Sequence, residues 1–218
     1  MPASEFKTSV DEVQRALRPS LKEHGFKLRG RTFNRVTEDG LTQVIGLQMG
    51  ASDPPGTTYI PGLRENMHGR FTVNLGVYVP EVAEVSGGGP ARSWVQDYHC
   101  SIRDRLGPVS GSPRDLWWSA HSSVDAVAAV QPLILTYGLI FLDRFRSRDL
   151  ILSELVGYGD NLGHCSVPRI VSAIILARRG ALDEARALMA AQAKESRHNP
   201  NHPAYVRELA VRIGLGAV

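Results

Sequence analysis

The sequence predicts an α+β protein: an antiparallel sheet of four to five strands with flanking helices, followed by an α-helical C-terminal tail. One observation is the strict alternation of apolar and polar residues over 71–79, which is typical of a strand. Another is the helical spacing of apolar residues before Gly25 and after Ser123. The chain has 218 residues, 43% hydrophobic and 22% charged, a balance that excludes collagen, coiled coil and disorder.

The first predicted element is an amphipathic helix. Ser9 and Glu12 have the spacing of a capping box, and the segment closes at His24 and Gly25. Pro19 should kink this helix, because its ring removes a backbone donor and collides with the preceding turn. The apolar positions that define the helical period are Val10, Val13, Leu17 and Leu21.

Strands are predicted after Gly25, where the apolar period changes from about 3.6 to 2. The first strand runs over 26–36, and the turn at 38–40 leads to a second strand with Leu41, Ile45, Leu47 and Met49 on one face. The third is 71–79, with Phe71, Val73 and Leu75 on a buried face. Weaker candidates are 98–106 and 115–119, where Trp117 and Trp118 should point to opposite faces.

Two long connections interrupt this pattern. Residues 50–69 are predicted to be a lid, a binding loop or a disordered excursion, because so long a connection without secondary structure is unusual. Residues 80–90, with three successive glycines, are predicted to be a flexible connector with no helix directly after the strand. The chain also has no GKS or GKT, so the sequence does not favour a nucleotide-binding loop.

The chain becomes helical from Ser123 onward. The apolar stretch 124–142 is interrupted by polar residues, Pro132 and Gly138, and we expect it to be core with no membrane span. Ser147 is a predicted N-cap, Pro168 begins a helix, and Gly180 separates the two helices of an αα-hairpin. Two tetrapeptides 34 residues apart, 177–180 and 211–214, resemble the tetratricopeptide period. We predict an α+β domain over 1–157, then a helical hairpin with a capping helix over 158–218.

The charge balance argues against a dedicated nucleic-acid binder. Lys+Arg 25 against Asp+Glu 22 leaves a net charge of +3 and a pI near 9.0, which is only a slight basic surplus. The two cysteines form neither a disulfide framework nor a CxxC motif, which favours a reducing compartment. The first residues contain acids and no apolar run, so we expect no secretory signal and a cytoplasmic protein.

The predicted binding surface is a polar sheet face. Gln48, Asn74 and Arg103 occupy equivalent places on their strands, and Thr72 and Tyr78 should face the same way. Amide and guanidinium groups in one concavity suit a carboxylate, a phosphate or an acidic protein surface. The alternative is that these groups satisfy buried turns and each other. The candidate binding residues are Arg29, Arg31, Gln48, Asn74, Tyr78, Arg103, Arg105 and Trp117.

The sequence singles out no catalytic or metal site. His99-Cys100 and His164-Cys165 repeat a dipeptide, but adjacent strand residues point to opposite faces and the spacing of known zinc sites is absent. Cys100 is therefore predicted to be an inert core thiol. The chain contains no GxSxG and no HExxH, although acid–base chemistry by scattered carboxylates stays open. We expect no metal and no cofactor.

Several short segments, in order, resemble a known bacterial family. The chain is similar, over roughly residues 10–145, to the domain-of-unknown-function family with serial number four-three-zero-four. The resemblance implies an α+β domain without an assigned activity, and the tail after Gly157 lies outside it. The segments that carry it are Leu21-Lys-Glu-His-Gly-Phe26, Arg29-Gly-Arg-Thr-Phe33, Val44-Ile-Gly-Leu-Gln48, Phe71-Thr-Val-Asn-Leu-Gly76, Cys100 with Arg103 and Arg105, and Asp115-Leu-Trp-Trp118.

The functional hypothesis is a non-enzymatic protein-recognition module, immunity-like or regulatory, that binds another protein. Its surface would be the polar sheet face, the loop 50–69 or the groove of the helical tail. The first alternative is an enzyme that acts on a small anionic substrate in the same concavity. The second is an RNA-binding domain, because Arg29, Arg31 and Arg35 lie beside aromatic residues on the first strand.

Overall fold

The chain folds around one antiparallel sheet. The computed structural model describes residues 3–51, 67–87, 92–157, 163–195 and 201–216. The strand order is β1-β2-β3-β4-β5, and β6 pairs with the beginning of β4. The predicted α+β class with a helical C-terminal region is confirmed. The strands are β1 (Lys27–Arg29), β2 (Thr32–Val36), β3 (Thr42–Met49), β4 (Arg70–Tyr78), β5 (Ile102–Arg105) and β6 (Trp118–Ser119).

Along the chain, helices precede, interrupt and follow the strands, and helices also make up the C-terminal tail. A 3₁₀ turn covers Asp97–His99, and a π turn at Ile134–Gly138 joins two helices. Pro168 begins one tail helix and Gly180, with φ +82°, ends it as predicted. The helices are α1 (Ala3–Glu23), α2 (Pro80–Val85), α3 (Leu106–Val109), α4 (Ser123–Leu133), α5 (Leu139–Arg144), α6 (Arg148–Gly157), α7 (Pro168–Arg178), α8 (Leu182–Glu195) and α9 (Asn201–Arg212).

The first helix begins earlier than the sequence predicts. It starts at Ala3, so Ser9 lies inside the helix and does not cap it. The additional turns form because Phe6 is buried and its ring meets the edges of His68 and His121, each with centroids 5.0 Å apart. The helix continues through Pro19, and the kink expected there stays a prediction.

The predicted first strand, 26–36, is in fact a hairpin. Strands β1 and β2 pair antiparallel, with Leu28 opposite Phe33, and Gly30 reverses the chain with φ +59°. Only glycine adopts this left-handed conformation without a steric cost, so Gly30 allows the tight turn between the two short strands.

Two other connections also differ from expectation. Helix α2 follows β4 after one residue, so the prediction of a flexible connector without a helix is wrong for 80–85. Proline at its first position has a fixed φ that suits a helix start. The rest of that connector, 88–90, and most of the loop 50–69 lie outside the described residues. The weak strand 115–119 is reduced to the two residues of β6.

The core is centred on β4, which is buried on both faces. Every residue from Phe71 to Val79 is buried, including Thr72 and Asn74. The expectation that one face of this strand is accessible is therefore wrong. The alternating polar residues indicated a half-exposed strand, but β4 lies inside the sheet order and is covered from both sides.

Contacts divide the chain into two compact units. Unit 1 comprises Met1–Arg35, Val44–Leu75 and Asp104–Leu142, and in it α1 packs on α4 and β1. Unit 2 comprises Val36–Gln43, Gly76–Arg103 and Asp143–Val218, and in it α7 packs on α2, α6 and α8. The predicted domain boundary between residues 157 and 158 stays a prediction.

One helical stretch of the described chain, Ser123–Arg144, is long and apolar enough to cross a membrane by length and composition alone. A third of its most apolar window is buried in the structure. Val130 and Ile134 are buried, whereas Val124 is 77% and Ile140 is 62% exposed. The expectation that this stretch is core therefore holds for one side only, because a helix directs successive side chains around its axis.

Candidate functional site

The predicted polar sheet face is largely covered at β4. The Asn74 side chain is buried, and its Nδ2 donates a 2.8 Å hydrogen bond to Oε1 of the exposed Gln48. Tyr78 is also buried, and its hydroxyl finds no hydrogen-bond partner in the described part of the chain. Asn74 and Tyr78 therefore do not belong to the accessible polar surface that the alternating pattern predicted, whereas Gln48 is exposed.

The arginines of the predicted site lie at opposite edges of the sheet. Arg29 is exposed on edge strand β1, whereas Arg105 is on β5 at the other end of the strand order. Four strand spacings separate these edges, which corresponds to about 19 Å. Arg31, in the turn after β1, directs its Nε to Oδ1 of Asp11 at 3.2 Å. The strand order thus does not gather these guanidinium groups in one concavity.

The arginines on β5 are matched with acids nearby. Arg103 lies 3.5 Å from Asp97 and half of its side chain is exposed. Arg105 pairs with Asp115, and its guanidinium carbon lies 5.5 Å from the centre of the Trp117 ring. Exposed ion pairs of this kind contribute little to stability. A role of these residues in binding stays a prediction.

The two cysteines are unsuited to nucleophilic chemistry. Cys100 and Cys165 are both buried free thiols, and burial raises the pKa of each. The Cys100 thiol packs against Gly76, where an added Cβ would lie 2.7 Å from its Sγ. Within the described residues, no group of three or more His, Cys, Asp or Glu could hold a metal ion. Cys100 therefore has the character of a core thiol, as predicted.

An exposed apolar surface lies on the stretch Ser123–Arg144. Residues 126–142 contain no charged side chain, and Tyr137 and Ile140 are 43% and 62% exposed. Sequence reasoning missed this surface, because it treated the whole stretch as core. We call it the uncharged helix face and define it by its exposed residues Val124, Ala128, Ala129, Pro132, Thr136, Tyr137 and Ile140.

A π turn shapes this face. Pro132 has no backbone N–H, and the wider turn Ile134–Gly138 begins two residues after it. A π turn adds a residue to a helical turn, which rotates the later side chains around the axis relative to a continuous α-helix. Tyr137 lies in this turn and is exposed. Such turns recur at functional sites and break the period from which a face is read in a sequence.

A second feature is an open cleft of about 440 Å³ in unit 1. One wall is a single face of α1, and the other is the beginning of α4. The sequence contained one signal for it, because residues 5, 8, 9 and 12 are polar and share a helical face. We call it the acidic cleft; its lining residues are Glu5, Thr8, Ser9, Glu12, His121, Ser122 and Ser123.

Residues 63–138 match the family described as Domain of unknown function (DUF4304). This match confirms the predicted family, over a shorter segment than the predicted 10–145. It includes β4, β5, α4 and most of the uncharged helix face. No curated protein matches the chain, and no solved structure matches it. The family carries no assigned activity.

Proposed function

We propose that this chain, whose residues 63–138 match a family without an assigned activity, is a non-enzymatic protein-recognition module of the cytoplasm. The uncharged helix face is its contact surface. The observation that carries the proposal is the exposure of Val124, Tyr137 and Ile140 on a stretch without charge from 126 to 142. Contiguous exposed apolar surface on a folded chain is typical of an interaction site.

The size of the face favours a transient partner. A helix of 22 residues is about 33 Å long and about 10 Å wide, so the face presents roughly 300 Å². A stable protein–protein interface of standard size buries about 800 Å² on each partner, and permanent dimers bury more. The face is therefore too small to hold a permanent dimer alone, but it matches the footprint of one amphipathic helix laid along it.

The chemistry of the face specifies the partner further. Tyr137 and Ile140 form large apolar anchors near one end, whereas Ala128 and Ala129 allow a close approach near the other. Asp125 is exposed beside Val124 at the beginning of the helix. The complementary partner is a protein helix with an apolar stripe and a Lys or Arg at the end that meets Asp125.

The two alternative functions have less support. An enzyme for a small anionic substrate requires several arginines to converge in one concavity, and the strand order separates Arg29 from Arg105 by about 19 Å. The RNA-binding alternative needs Arg31 and Arg35 to reach phosphates, but Arg31 pairs with Asp11 and Arg35 donates to the backbone carbonyl of His24. The two thiols are buried and protonated, which removes them as nucleophiles. The finer hypothesis, an immunity-like or regulatory role, stays a prediction.

The test begins with photo-crosslinking in cells that express the chain. A photoreactive amino acid at position 140 should give one dominant protein adduct, which mass spectrometry identifies. The matched control is position 211, where Val211 is 64% exposed on a different helix and should not give this adduct. Adducts only with a second copy of the chain, only with lipid, or with nothing would each overturn the proposal.

The identified partner is then purified and titrated against the chain by calorimetry. Tyr137→Asp should weaken the complex at least about tenfold, because it places a charge at an apolar anchor. Val211→Asp should leave the affinity unchanged. Equal affinities for both variants would show that the uncharged helix face is not the contact surface.

A further inference from the structure

We infer that the acidic cleft binds a small hydroxylated organic cation, with an ammonium group on its carboxylates and hydroxyl groups on its serines. This site is separate from the uncharged helix face and does not depend on the function proposed for it. The inference rests on three observations: the arrangement of the lining side chains, one buried hydroxyl without a partner, and the charge of the lining.

The lining is held in place by contacts across the cleft. Glu12, on α1, accepts a 2.9 Å hydrogen bond through Oε2 from the Ser123 hydroxyl. Ser122 caps α4, and its side chain accepts a hydrogen bond from the backbone N–H of Asp125. These two contacts fix the beginning of α4 against the polar face of α1.

His121 is also oriented. Its Nδ1 lies 2.8 Å from the Ser119 hydroxyl oxygen, and its ring meets Phe6 edge-on with centroids 5.0 Å apart. The ring is therefore held from two directions while the residue remains exposed to the cleft. An imidazole fixed in this way can exchange a hydrogen bond with a ligand at low entropic cost.

The buried hydroxyl of Ser9 is the feature that points most directly to a ligand. Ser9 lines the cleft and is only 8% exposed, yet its hydroxyl has no hydrogen-bond partner in the described structure. A buried hydroxyl without a partner costs folding free energy. A ligand hydroxyl or amine that enters the cleft would satisfy this group and recover that cost.

The sign of the charge selects a cation. The N-terminus of α4 by itself would attract an anion, but Glu12 already places a carboxylate there and Glu5 adds a second. The described lining residues include no Lys or Arg. A metal ion is disfavoured, because the lining residues form no group of three His, Cys, Asp or Glu with suitable geometry.

The volume sets the size of the ligand. About 440 Å³ lies within the range of small-molecule sites and exceeds what one ammonium group requires. The remaining lining is rich in hydroxyls: Thr8, Ser9, Ser122 and Ser123. An amino sugar or another amine of similar size that carries several hydroxyl groups has the matching chemistry.

The test is a titration followed by NMR on the isotope-labelled full chain. The probes are glucosamine, N-acetylglucosamine and 1,4-diaminobutane. Glucosamine should give saturable shifts of the amides of Ser9 and Ser122, with a dissociation constant in the range of about 1–10 mM. N-acetylglucosamine lacks the ammonium group and diaminobutane lacks the hydroxyl groups, so each should bind at least about fivefold more weakly.

Two substitutions then test the assigned roles. Glu5→Gln should weaken glucosamine binding about threefold by removing one exposed charge. Ser9→Ala should weaken it about fivefold without lowering the melting temperature, because no internal hydrogen bond is lost. Matched controls on the same helix are Glu23→Gln and Ser20→Ala, which lie outside the cleft and should leave the affinity unchanged.

The inference is overturned by any of three results. The first is the absence of saturable shifts with glucosamine. The second is equal binding of glucosamine and N-acetylglucosamine, which would show that the carboxylates do not recognise the ammonium group. The third is an unchanged affinity in the Ser9→Ala variant.

Discussion

Two clusters of acidic side chains in this protein differ in whether an arginine pairs with them. In unit 2, the Arg148 guanidinium forms a bidentate pair with buried Glu81, at 2.6 Å from Nε to Oε1 and 2.8 Å from Nη2 to Oε2. The Arg148 backbone N–H also donates to Oδ2 of Asp39 at 2.6 Å. The hydrogen bond with Glu81 raises the pKa of Arg148, so this guanidinium remains charged.

In unit 1, the acidic cleft has no such match. Glu5 and Glu12 line it without an arginine or lysine among the described lining residues, and Ser9 is buried without a partner. Carboxylate side chains therefore have two different roles in the two units. A network whose groups are all paired fixes the fold, whereas a cluster with unpaired groups is available to a ligand.

Removal of the Arg148 side chain should lower the free energy of unfolding more than any other change described below. Arg148→Ala leaves the buried Glu81 carboxylate without its partner, which should lower the free energy of unfolding by about 3–5 kcal/mol. The control is Arg178→Ala, whose pair with Glu84 is exposed and should cost less than about 1 kcal/mol. Urea denaturation measures both. Similar losses in the two variants would remove the distinction between the paired network and an ordinary surface pair.

Overpacking beside Cys100 should have the next largest effect. In Gly76→Ala the new Cβ would lie 2.7 Å from the Cys100 Sγ, so the free energy of unfolding should fall by about 1–3 kcal/mol. Gly138→Ala is the control, because its nearest side-chain atom, on Leu106, is at an ordinary 3.5 Å. Thermal denaturation compares the two variants. An equal loss at Gly138 would contradict the steric explanation.

Two serines of the acidic cleft should behave differently. Ser122→Ala removes the N-cap of α4 and should lower the free energy of unfolding by about 1 kcal/mol. Ser9→Ala removes a buried hydroxyl without a partner and should leave stability unchanged or slightly increased. Thermal denaturation measures this difference, and only the Ser122→Ala variant should have a lower melting temperature. A loss at Ser9 as large as at Ser122 would mean that Ser9 has an internal structural role.

The smallest expected effect is the pH dependence of stability that comes from His99 in unit 2. Burial, and secondly the positive charge of Arg92, hold the pKa of His99 below 6.5, although Asp97 opposes this shift. Its Nδ1 accepts a 3.1 Å hydrogen bond from the backbone N–H of Gln96, which requires the neutral ring. The stability that His99 contributes is therefore present above pH 6.5 and is lost as the pH falls through the lowered pKa. NMR titration of the imidazole should give a midpoint below 6.5, and a midpoint above 6.5 would contradict this account.

The elements with local signals could be predicted from the sequence. The tail is the clearest example, because Ser147, Pro168 and Gly180 carry the start and stop signals of its helices, and all three occupy those positions. The sequence motifs also identified the family that matches residues 63–138. The hairpin at Gly30 was not predicted, because β1 and β2 are only three and five residues long and a single glycine within a strand pattern equally indicates a bulge.

The candidate sites were less predictable. The amides and arginines of the sheet were expected to share one face, but strand order places Arg29 and Arg105 at opposite edges and Asn74 in the interior. Neither strand order nor coverage of the second face of β4 can be read from the period of one strand. The acidic cleft joins residues 5–12 to 121–123, a pairing that no local pattern specifies.

The sequence by itself determined the α+β class, the helical tail, the low net charge and the absence of charge over 126–142, because these depend on composition and local periodicity. The tertiary structure decided which polar groups are paired. It gave Glu81 an arginine 67 residues away and left the Ser9 hydroxyl without a partner. It also left one side of Ser123–Arg144 exposed. The physical reason is that hydrogen bonds and burial depend on long-range packing, which a local sequence pattern does not encode.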